Sequence, residues 1–134
     1  MEEIEIREAL PADLNFIFAT WLRSYRHSSA FAKYVSNEVY FYWHQRIINN
    51  ALERGARILV AHPKGDPEVI IGYLCYEYQG SKLVGHYIFV KGPFRKMGIA
   101  KSLLAAKETF DCYTHRTEDF LKLKLEIEYN PYLL

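Results

Sequence analysis

The segment from Val90 to Leu104 contains the residues whose types and spacing most clearly suggest chemistry. An apolar strand runs here into a short loop with an R-x-x-G-x-A pattern that begins at Arg95, and an apolar-striped helix follows. The first N–H groups of a helix have no partner within it, and the helix dipole adds partial positive charge, so anions bind there. Gly98 and Ala100 leave this backbone uncovered, and Arg95 and Lys96 add positive charge. The pattern predicts a binding site for a phosphorylated ligand.

This strand, loop and helix resemble those of the GCN5-related N-acetyltransferases (the GNAT family), whose signature [Q/R]-x-x-G-x-[G/A] binds the pyrophosphate of acetyl-CoA through loop amides. The resemblance implies an α/β acyl-CoA N-acyltransferase fold, with a mixed central sheet flanked by helices in the order β-α-α-β-β-β-α-β-α-β. It implies acetyl-CoA as co-substrate and an amine as acceptor, either a small molecule or part of a macromolecule. The phosphate-binding role falls on Arg95, Lys96, Met97, Gly98, Ile99, Ala100 and Lys101. The competing interpretation is a glycine that only starts a helix after a strand.

Acetyl transfer to an amine needs a donor for the developing negative charge, a base for the amine proton and an acid for the departing thiolate. By resemblance, the backbone around Phe89, Val90 and Lys91 would bind pantetheine and polarise the acyl carbonyl. His86, on the same strand, stands where several family members project a base, and Glu77 on the preceding strand is the reserve candidate. A hydrogen-bonded histidine within a half-buried strand is the alternative interpretation of His86.

The family's tyrosine acid has no counterpart in this chain. The family pattern Asn-x-x-Ala-x-x-Leu-Tyr after the fifth strand falls on Thr117 to Lys124, which puts Lys124 at the tyrosine position. Either another tyrosine or water serves as the acid, or the protein binds acyl-CoA without efficient turnover. A non-catalytic acyl-CoA-binding module is therefore an alternative function.

The segment from Trp21 to His27 corresponds to the place where the family's first two helices lie over the acceptor. Trp21, Tyr25 and Arg26 could there bind an anionic or aromatic acceptor, nucleotides included. A nucleic-acid-associated base modifier is thus a second alternative, and this helix has a faint likeness to short phage-encoded members of the family. The competing interpretation places Trp21 and Tyr25 in the core and leaves the arginines solvated.

Length and composition predict one domain over residues 1–134, since 134 residues can bury a core. No apolar run is long enough for a membrane span, and the acidic, alternating N-terminus is typical of neither a signal nor a transit peptide. We therefore expect a cytoplasmic protein, monomeric or homodimeric, that makes no use of a membrane. The net charge of +1 favours no nucleic-acid or lipid surface. Cys75 and Cys112 lack metal-ligand spacing and are expected to be buried thiols, and no metal site is predicted.

Hydrophobic periodicity predicts the elements that position these residues. A first helix begins at Pro11, and a second, capped by Ser36, buries one face comprising Tyr40, Trp43, Ile47, Ala51 and Leu52. A third helix spans about 98–110 and connects two parallel strands. The predicted strands cover residues 3–8, 57–61, 69–78, 82–91 and 112–115. For the tail we expect a helix near 118–124 and a strand near 125–129. By the resemblance, an ordinary family member would have one more strand after this point, so we expect a clipped version of the fold.

Overall fold

The computed structural model describes residues 3–29 and 31–134 of the chain. Within these residues it has the predicted order β-α-α-β-β-β-α-β-α-β. The strands are β1 (Ile4–Glu8), β2 (Arg57–Pro63), β3 (Gly72–Gln79), β4 (Lys82–Val90), β5 (Cys112–Tyr113) and β6 (Glu128–Tyr129). The helices are α1 (Leu14–Ser28), α2 (Asn37–Glu53), α3 (Ile99–Ala105) and α4 (Glu118–Leu121). The strands form one mixed sheet in chain order, antiparallel from β1 to β4 and parallel from β4 to β6.

Helices α1 and α2 cover one face of the sheet. The predicted stripe of α1 is buried there, with Trp21 at its centre, against Tyr73, Cys75 and Tyr87 of the sheet. Ser36 begins α2 as predicted, because its hydroxyl oxygen accepts a hydrogen bond from the N–H of Val39 at 3.3 Å. The apolar stripe of α1 therefore sets the position of the helix layer over β3 and β4.

The buried face of α2 differs from the prediction. It consists of Tyr40, His44, Ile48 and Ala51, whereas the side chain of Trp43 is 58% exposed. The reason is that His44 points inward and forms a hydrogen bond with His115 of the loop after β5. Apolar periodicity alone does not anticipate a polar residue in the middle of a buried stripe.

Helix α3 covers the other face, where Ile99 and Leu103 pack with Leu74, Tyr76 and other sheet residues. It ends at Ala105 rather than near residue 110, although Phe110 is still buried beside Gly85. Neither this helix nor any other in the described residues combines the length and apolar character that crossing a bilayer requires.

Most of the remaining elements are shorter than predicted, whereas β2 is longer and continues to Pro63 instead of ending at residue 61. β3 starts at Gly72 rather than at residue 69, but Ile71 continues the pairing because its N–H donates to Ala61 and its carbonyl accepts from Lys91. Thr117 caps α4, since its hydroxyl oxygen accepts from the N–H of Phe120 at 3.1 Å. β5 and β6 are each two residues long and α4 is four residues long, so all three are shorter than predicted. The two cysteines are buried free thiols, as predicted.

Candidate active site

β4 and β5 run side by side for only part of their length. Among the described residues, β5 pairs with β4 at Val84 and Gly85. The last backbone hydrogen bond between them runs from the N–H of Thr114 to the carbonyl of Gly85, at 3.0 Å. Beyond this point no described residue pairs as a strand with residues 86–90 of β4 on that edge, so a gap opens between the two strands.

A bulge in β4 lies where the gap begins. Cys75 of β3 is opposite Tyr87, whereas the next residue, Tyr76, is opposite Gly85, so His86 is the extra residue. A bulge bends its strand and increases the local twist. The irregularity at His86 therefore explains why β4 turns away from β5.

A cavity of about 700 Å³ lies in this gap. The segment 87–90 of β4 forms one wall, and Thr117 and Phe120 at the start of α4 form part of the opposite wall. Arg95, Lys96 and Lys101 also line the cavity and make it basic on the α3 side. Its volume is typical of a site that binds a small molecule or cofactor.

Six of the seven predicted phosphate-binding residues line this cavity: Arg95, Lys96, Gly98, Ile99, Ala100 and Lys101. Met97 does not line it, and its side chain is 38% exposed. Gly98 has φ = 79° and Lys96 has φ = 67°, so the loop passes twice through the left-handed region. Within the described part of the chain, the N–H groups of residues 96–101 donate no hydrogen bond. Consecutive N–H groups held in this way form an anion-binding concavity.

The backbone of β4 faces the cavity at Val90 rather than at Lys91. The carbonyl of Val90 accepts a hydrogen bond from Nε of Arg95 at 3.1 Å, on the loop side. The N–H and carbonyl of one strand residue point to the same edge, so the N–H of Val90 also faces the cavity. Lys91 donates its N–H to Ile71 in the opposite direction, at 2.8 Å. Phe89 and Val90 line the cavity, but Lys91 does not, and its ammonium lies over the ring of Phe16.

The predicted acceptor-binding residues do not line the cavity. Trp21 and Tyr25 are only 1% and 4% exposed and belong to the core. Arg26 donates to the carbonyl of Ala32 at 3.0 Å and lies over the ring of Tyr40. The α1 residues that do line the cavity are Ser24, His27 and Ser28. Helical spacing places these three on the face of α1 next to the apolar stripe, and this spacing could have identified them from the sequence.

The predicted base and its reserve lie side by side but are buried. His86 Nε2 is 2.7 Å from Glu77 Oε1, and Arg54 Nε is 2.8 Å from Glu77 Oε2. Burial alone would raise the pKa of Glu77, but hydrogen bonds from Arg54, His86 and Gln79 outweigh it and lower that pKa. Burial lowers the pKa of His86, and the opposing contact with Glu77 does not cancel this effect. At neutral pH the pair is therefore a carboxylate and a neutral imidazole.

A second, smaller cavity lies beside His86, which does not line the main cavity. An inner cavity of about 10 Å³ lies between β4 and β5 and is lined by His86 and His115, among other residues. It shares the lining residues Tyr87 and Thr117 with the main cavity. About 10–15 Å³ is the space that one water molecule needs. The inner cavity is therefore at the lower limit of the space that one water molecule needs.

Three polar residues that the sequence did not single out are buried beside this pair: His44, Thr114 and His115. Burial lowers the pKa of His44 to about 4 and holds the pKa of His115 well below its usual range. Thr114 and His115 directly follow β5, at the carboxyl end of a parallel strand, where functional residues commonly lie. Among the described residues, no group of three or more potential ligands is arranged to hold a metal ion.

A tyrosine on β4 was also missed. The Oη atom of Tyr87 is 2.6 Å from Oγ of Ser24, and both residues line the main cavity. The family pattern places the tyrosine acid after the fifth strand, so it gives no signal for a tyrosine on β4, before the phosphate-binding loop. Among the described residues, Tyr87 is the one tyrosine that lines the main cavity.

Comparison with solved structures shows the same fold in proteins that are described as established or candidate acetyltransferases. A possible acetyltransferase from Clostridium difficile 630 is 19% identical, with a TM-score of 0.62 over 96% of this chain and 95% of that chain. The PaiA N-acetyltransferase from Thermoplasma acidophilum in complex with coenzyme A is 19% identical, with a TM-score of 0.55 over 78% of this chain and 69% of that chain. An acetyltransferase candidate from Salmonella typhimurium with its cofactor acetyl-CoA is 20% identical, with a TM-score of 0.51 over 78% of this chain.

Some of these relatives are longer than the present chain. The match spans 60% of the Salmonella typhimurium protein and 62% of a GNAT-family chain from Desulfovibrio desulfuricans. No protein-family model matches the sequence, and no curated protein matches it. The structural likeness and the geometry of β4 and β5 together show that this chain has the acyl-CoA N-acyltransferase fold.

Proposed function

We propose that this protein is an N-acetyltransferase that uses acetyl-CoA and transfers its acetyl group to an amine. One observation carries the proposal: the gap between β4 and β5 holds a cavity of about 700 Å³ with basic side chains at its α3 side. Proteins of this fold with coenzyme A or acetyl-CoA bound support it. Acetyl-CoA would supply an activated thioester, and the protein has to position that group and manage two protons.

The loop between β4 and α3 is suited to the pyrophosphate of CoA. The unbonded N–H groups of residues 96–101 provide donors that cost no rearrangement, and Arg95, Lys96 and Lys101 provide charge. A Cβ built on Gly98 meets no atom within 4 Å, so a side chain there would occupy open space beside these donors. The glycine is therefore required both by its backbone angle and by the space it leaves.

Two groups of β4 are suited to the reacting atoms. The N–H of Val90 faces the cavity and can donate to an acyl carbonyl as its oxygen gains negative charge. The hydroxyl of Tyr87, held by Ser24 at 2.6 Å, can protonate a departing thiolate. With this assignment Tyr87 would serve as the acid, because the family pattern has Lys124 where the tyrosine acid is expected.

The proton acceptor of this proposal is the pair of His86 and Glu77. Neutral His86 can take up a proton because its imidazolium form would lie 2.7 Å from the Glu77 carboxylate. The inner cavity lies beside this pair and shares the lining residues Tyr87 and Thr117 with the main cavity. Trp21, Tyr25 and Arg26 stay outside the proposed acceptor site because their side chains are committed to the core or to Ala32.

The burial of His86 and Glu77 is the one observation that favours a second candidate, an acyl-CoA-binding module without turnover. The proposed nucleic-acid modifier loses the basis it had in the sequence, since Trp21 and Tyr25 present no exposed ring for a base to stack on.

Calorimetry and thermal unfolding with three ligands test the proposal. CoA and dephospho-CoA should bind with similar affinity and pantetheine far more weakly, because the loop contacts the pyrophosphate. CoA at a hundred times its Kd should stabilise the folded state by about 2.7 kcal/mol. Release of CoA thiol with a panel of amines then separates the enzyme from the module.

Two outcomes decide between the candidates. Absence of binding to well-folded protein at millimolar CoA would remove both, because each depends on the loop. Binding without thiol release on any amine of the panel would leave the module. His86→Ala should lower turnover by about 10²–10⁴-fold with little change in acetyl-CoA affinity if His86 takes the proton.

A further inference from the structure

A continuous line of hydrogen bonds crosses the core beneath α1 and α2. It runs from His44 to His115 at 2.8 Å, from His115 to Thr114 at 3.0 Å and from Thr114 to His86 at 2.9 Å. Glu77 follows at 2.7 Å, and Arg54 closes the line near the surface at 2.8 Å. Four elements contribute to it, namely α2, the end of β5, the bulge of β4 and β3. We call this set the histidine chain.

The carboxylate at one end determines the direction of every hydrogen bond. Glu77 can only accept, so His86 carries its proton on Nε2 and presents a lone pair at Nδ1. The hydroxyl of Thr114 must then donate to His86 Nδ1, which leaves its oxygen to accept from Nδ1–H of His115. His115 therefore presents a lone pair at Nε2, and His44 must donate to it from its own Nε2.

Both ring nitrogens of His86 are thus engaged within the protein. Nε2 is occupied by Glu77, and Nδ1 is occupied by the hydroxyl of Thr114. The free lone pair of the histidine chain is at Nδ1 of His44, since the one hydrogen bond of that side chain to the described residues is made by Nε2. His86 can therefore gain a proton only when Thr114 donates its hydroxyl proton to Nδ1 of His86 and accepts another proton from His115.

We propose that Glu77 fixes the tautomer of His86 and, through Thr114, the tautomers of His115 and His44, and that these last three are positioning residues that form the one route for proton uptake by His86. A proton accepted at Nδ1 of His44 moves by successive transfers through His115 and Thr114, each of which gives up one proton as it receives one. The chain then holds one extra proton, as an imidazolium on His86 beside the Glu77 carboxylate. That the proton comes from the acceptor amine rests on the proposed function. The fixed direction of the hydrogen bonds in the histidine chain does not depend on that function.

The charged groups around His86 agree with this arrangement. Glu77 faces it from β3, with Arg54 at the end of α2 behind the carboxylate, and His115 of the loop after β5 is linked to it through Thr114, with His44 of α2 beyond His115. On the α1 side the neighbours are the neutral rings of Trp21 and Tyr25, which pack edge-on against His115. Glu77 is therefore the one anion of the described residues in the histidine chain, and it sets the polarity from that end.

Nitrogen-15 NMR of histidine-labelled protein tests the fixed direction without any activity. The wild type should show His86 and His44 protonated on Nε2 and His115 protonated on Nδ1, each as a single tautomer at pH 7. Thr114→Val keeps the shape but removes the hydroxyl, so His115 and His44 should then show mixed tautomers while His86 stays protonated on Nε2 beside Glu77. Thr114→Ser should restore the single tautomers of His115 and His44. A wild-type protein with His115 protonated on Nε2 would overturn the proposal, even if Thr114→Val failed to fold.

Kinetics tests the route for the proton. Thr114→Val should lower kcat by about 10²-fold with unchanged KM for acetyl-CoA, and Thr114→Ser should stay close to the wild type. His44→Phe keeps an aromatic ring between Tyr25 and Tyr40 and should lower kcat in the same way. Wild-type turnover in both Thr114→Val and His44→Phe would overturn the route. If the wild type transfers no acetyl group while the tautomers are as expected, the proposed function fails and the fixed direction stands.

Discussion

The two sides of β4 beyond Gly85 satisfy their polar groups in opposite ways. On the α1 and α2 side, buried side chains such as His86, Thr114 and His115 bind one another in the histidine chain. On the α3 side, the N–H groups of residues 96–101 have no acceptor in the described protein. We call the first the closed side, because its polar groups bind one another within the protein. We call the second the open side, because it presents hydrogen-bond donors to a cavity.

This difference separates the roles of side chain and backbone. Residue identity determines the closed side, because each hydrogen bond there requires one kind of side chain in a low-dielectric interior. Backbone conformation determines the open side, because its donors are amides and its glycine is needed for a positive φ. Substitutions on the closed side should therefore change stability and protonation, and substitutions on the open side should change ligand affinity.

The largest expected effect is on the closed side, at Trp21. Its ring is 1% exposed and stacks on Tyr87 with centroids 5.0 Å apart. Trp21→Ala should lower the free energy of unfolding by about 3–5 kcal/mol because it leaves a large cavity. Urea unfolding measures this change. The other tryptophan is the matched control, since Trp43 is exposed and Trp43→Ala should change stability by less than about 0.5 kcal/mol. Similar losses in both variants would contradict the burial of α1 described here.

The pH dependence of unfolding should also reflect the closed side. His44 and His115 have lowered pKa values in the folded protein, so below pH 6.5 the unfolded chain binds protons that the folded chain does not. Stability is then complete above pH 6.5 and falls as the pH drops toward about 4, by roughly 1 kcal/mol per pH unit for each histidine. Urea unfolding at pH 7, 6 and 5 gives the slope.

A pair of variants shows which histidines cause this slope. His44→Phe should reduce it, because one buried titrating group is gone and the ring stacking with Tyr25 and Tyr40 is retained. His27→Asn should leave it unchanged, because His27 is exposed beside the cavity. An unchanged slope in His44→Phe would mean that the acid sensitivity arises elsewhere in the protein.

The same division explains what could be predicted from the sequence. The open side was predictable in outline, because strand, glycine loop and helix are consecutive and their signals are local: Gly98, Ala100 and the apolar stripe of α3. Local signals also gave the element order and the cap at Ser36. The separation of β4 from β5 depends on the bulge at His86, which arises from pairing between distant residues and leaves no mark in the sequence.

The closed side was predictable only in part. His86 and Glu77 were identified individually, but their contact depends on the register of β3 and β4. His44 was missed because the apolar pattern of α2 favoured Trp43 as the inward residue, and its partner His115 is 71 positions away. A buried polar network is specified by contacts between distant elements, and periodicity contains no information about them.

Gly98→Val tests the open side. The valine side chain would lie among the unbonded amides, so CoA affinity should fall by at least about 100-fold, or about 2.7 kcal/mol. The backbone angle also makes the variant less stable, by about 1–2 kcal/mol. Gly65→Val is the matched control, since Gly65 has φ = 86°, lies in a distant turn and likewise meets no atom within 4 Å. Equal CoA affinity of the two variants, measured by calorimetry, would place the ligand away from this loop.

The smallest expected effect concerns Lys101, whose exposed ammonium lies near the amides of the loop. Exposed charge pairs contribute about 0.2–1 kcal/mol, so Lys101→Gln should weaken CoA binding by no more than about fivefold. The loss should shrink as salt rises from 0.05 to 0.5 M in the titration, since screening acts on the side-chain charge and hardly on the amides. Lys82→Gln, at the opposite end of β4, should bind CoA like the wild type at every salt concentration. If Lys101→Gln lost as much CoA affinity as Gly98→Val, side-chain charge rather than the backbone would determine the affinity of the open side. The two sides of β4 would then both depend on side-chain identity.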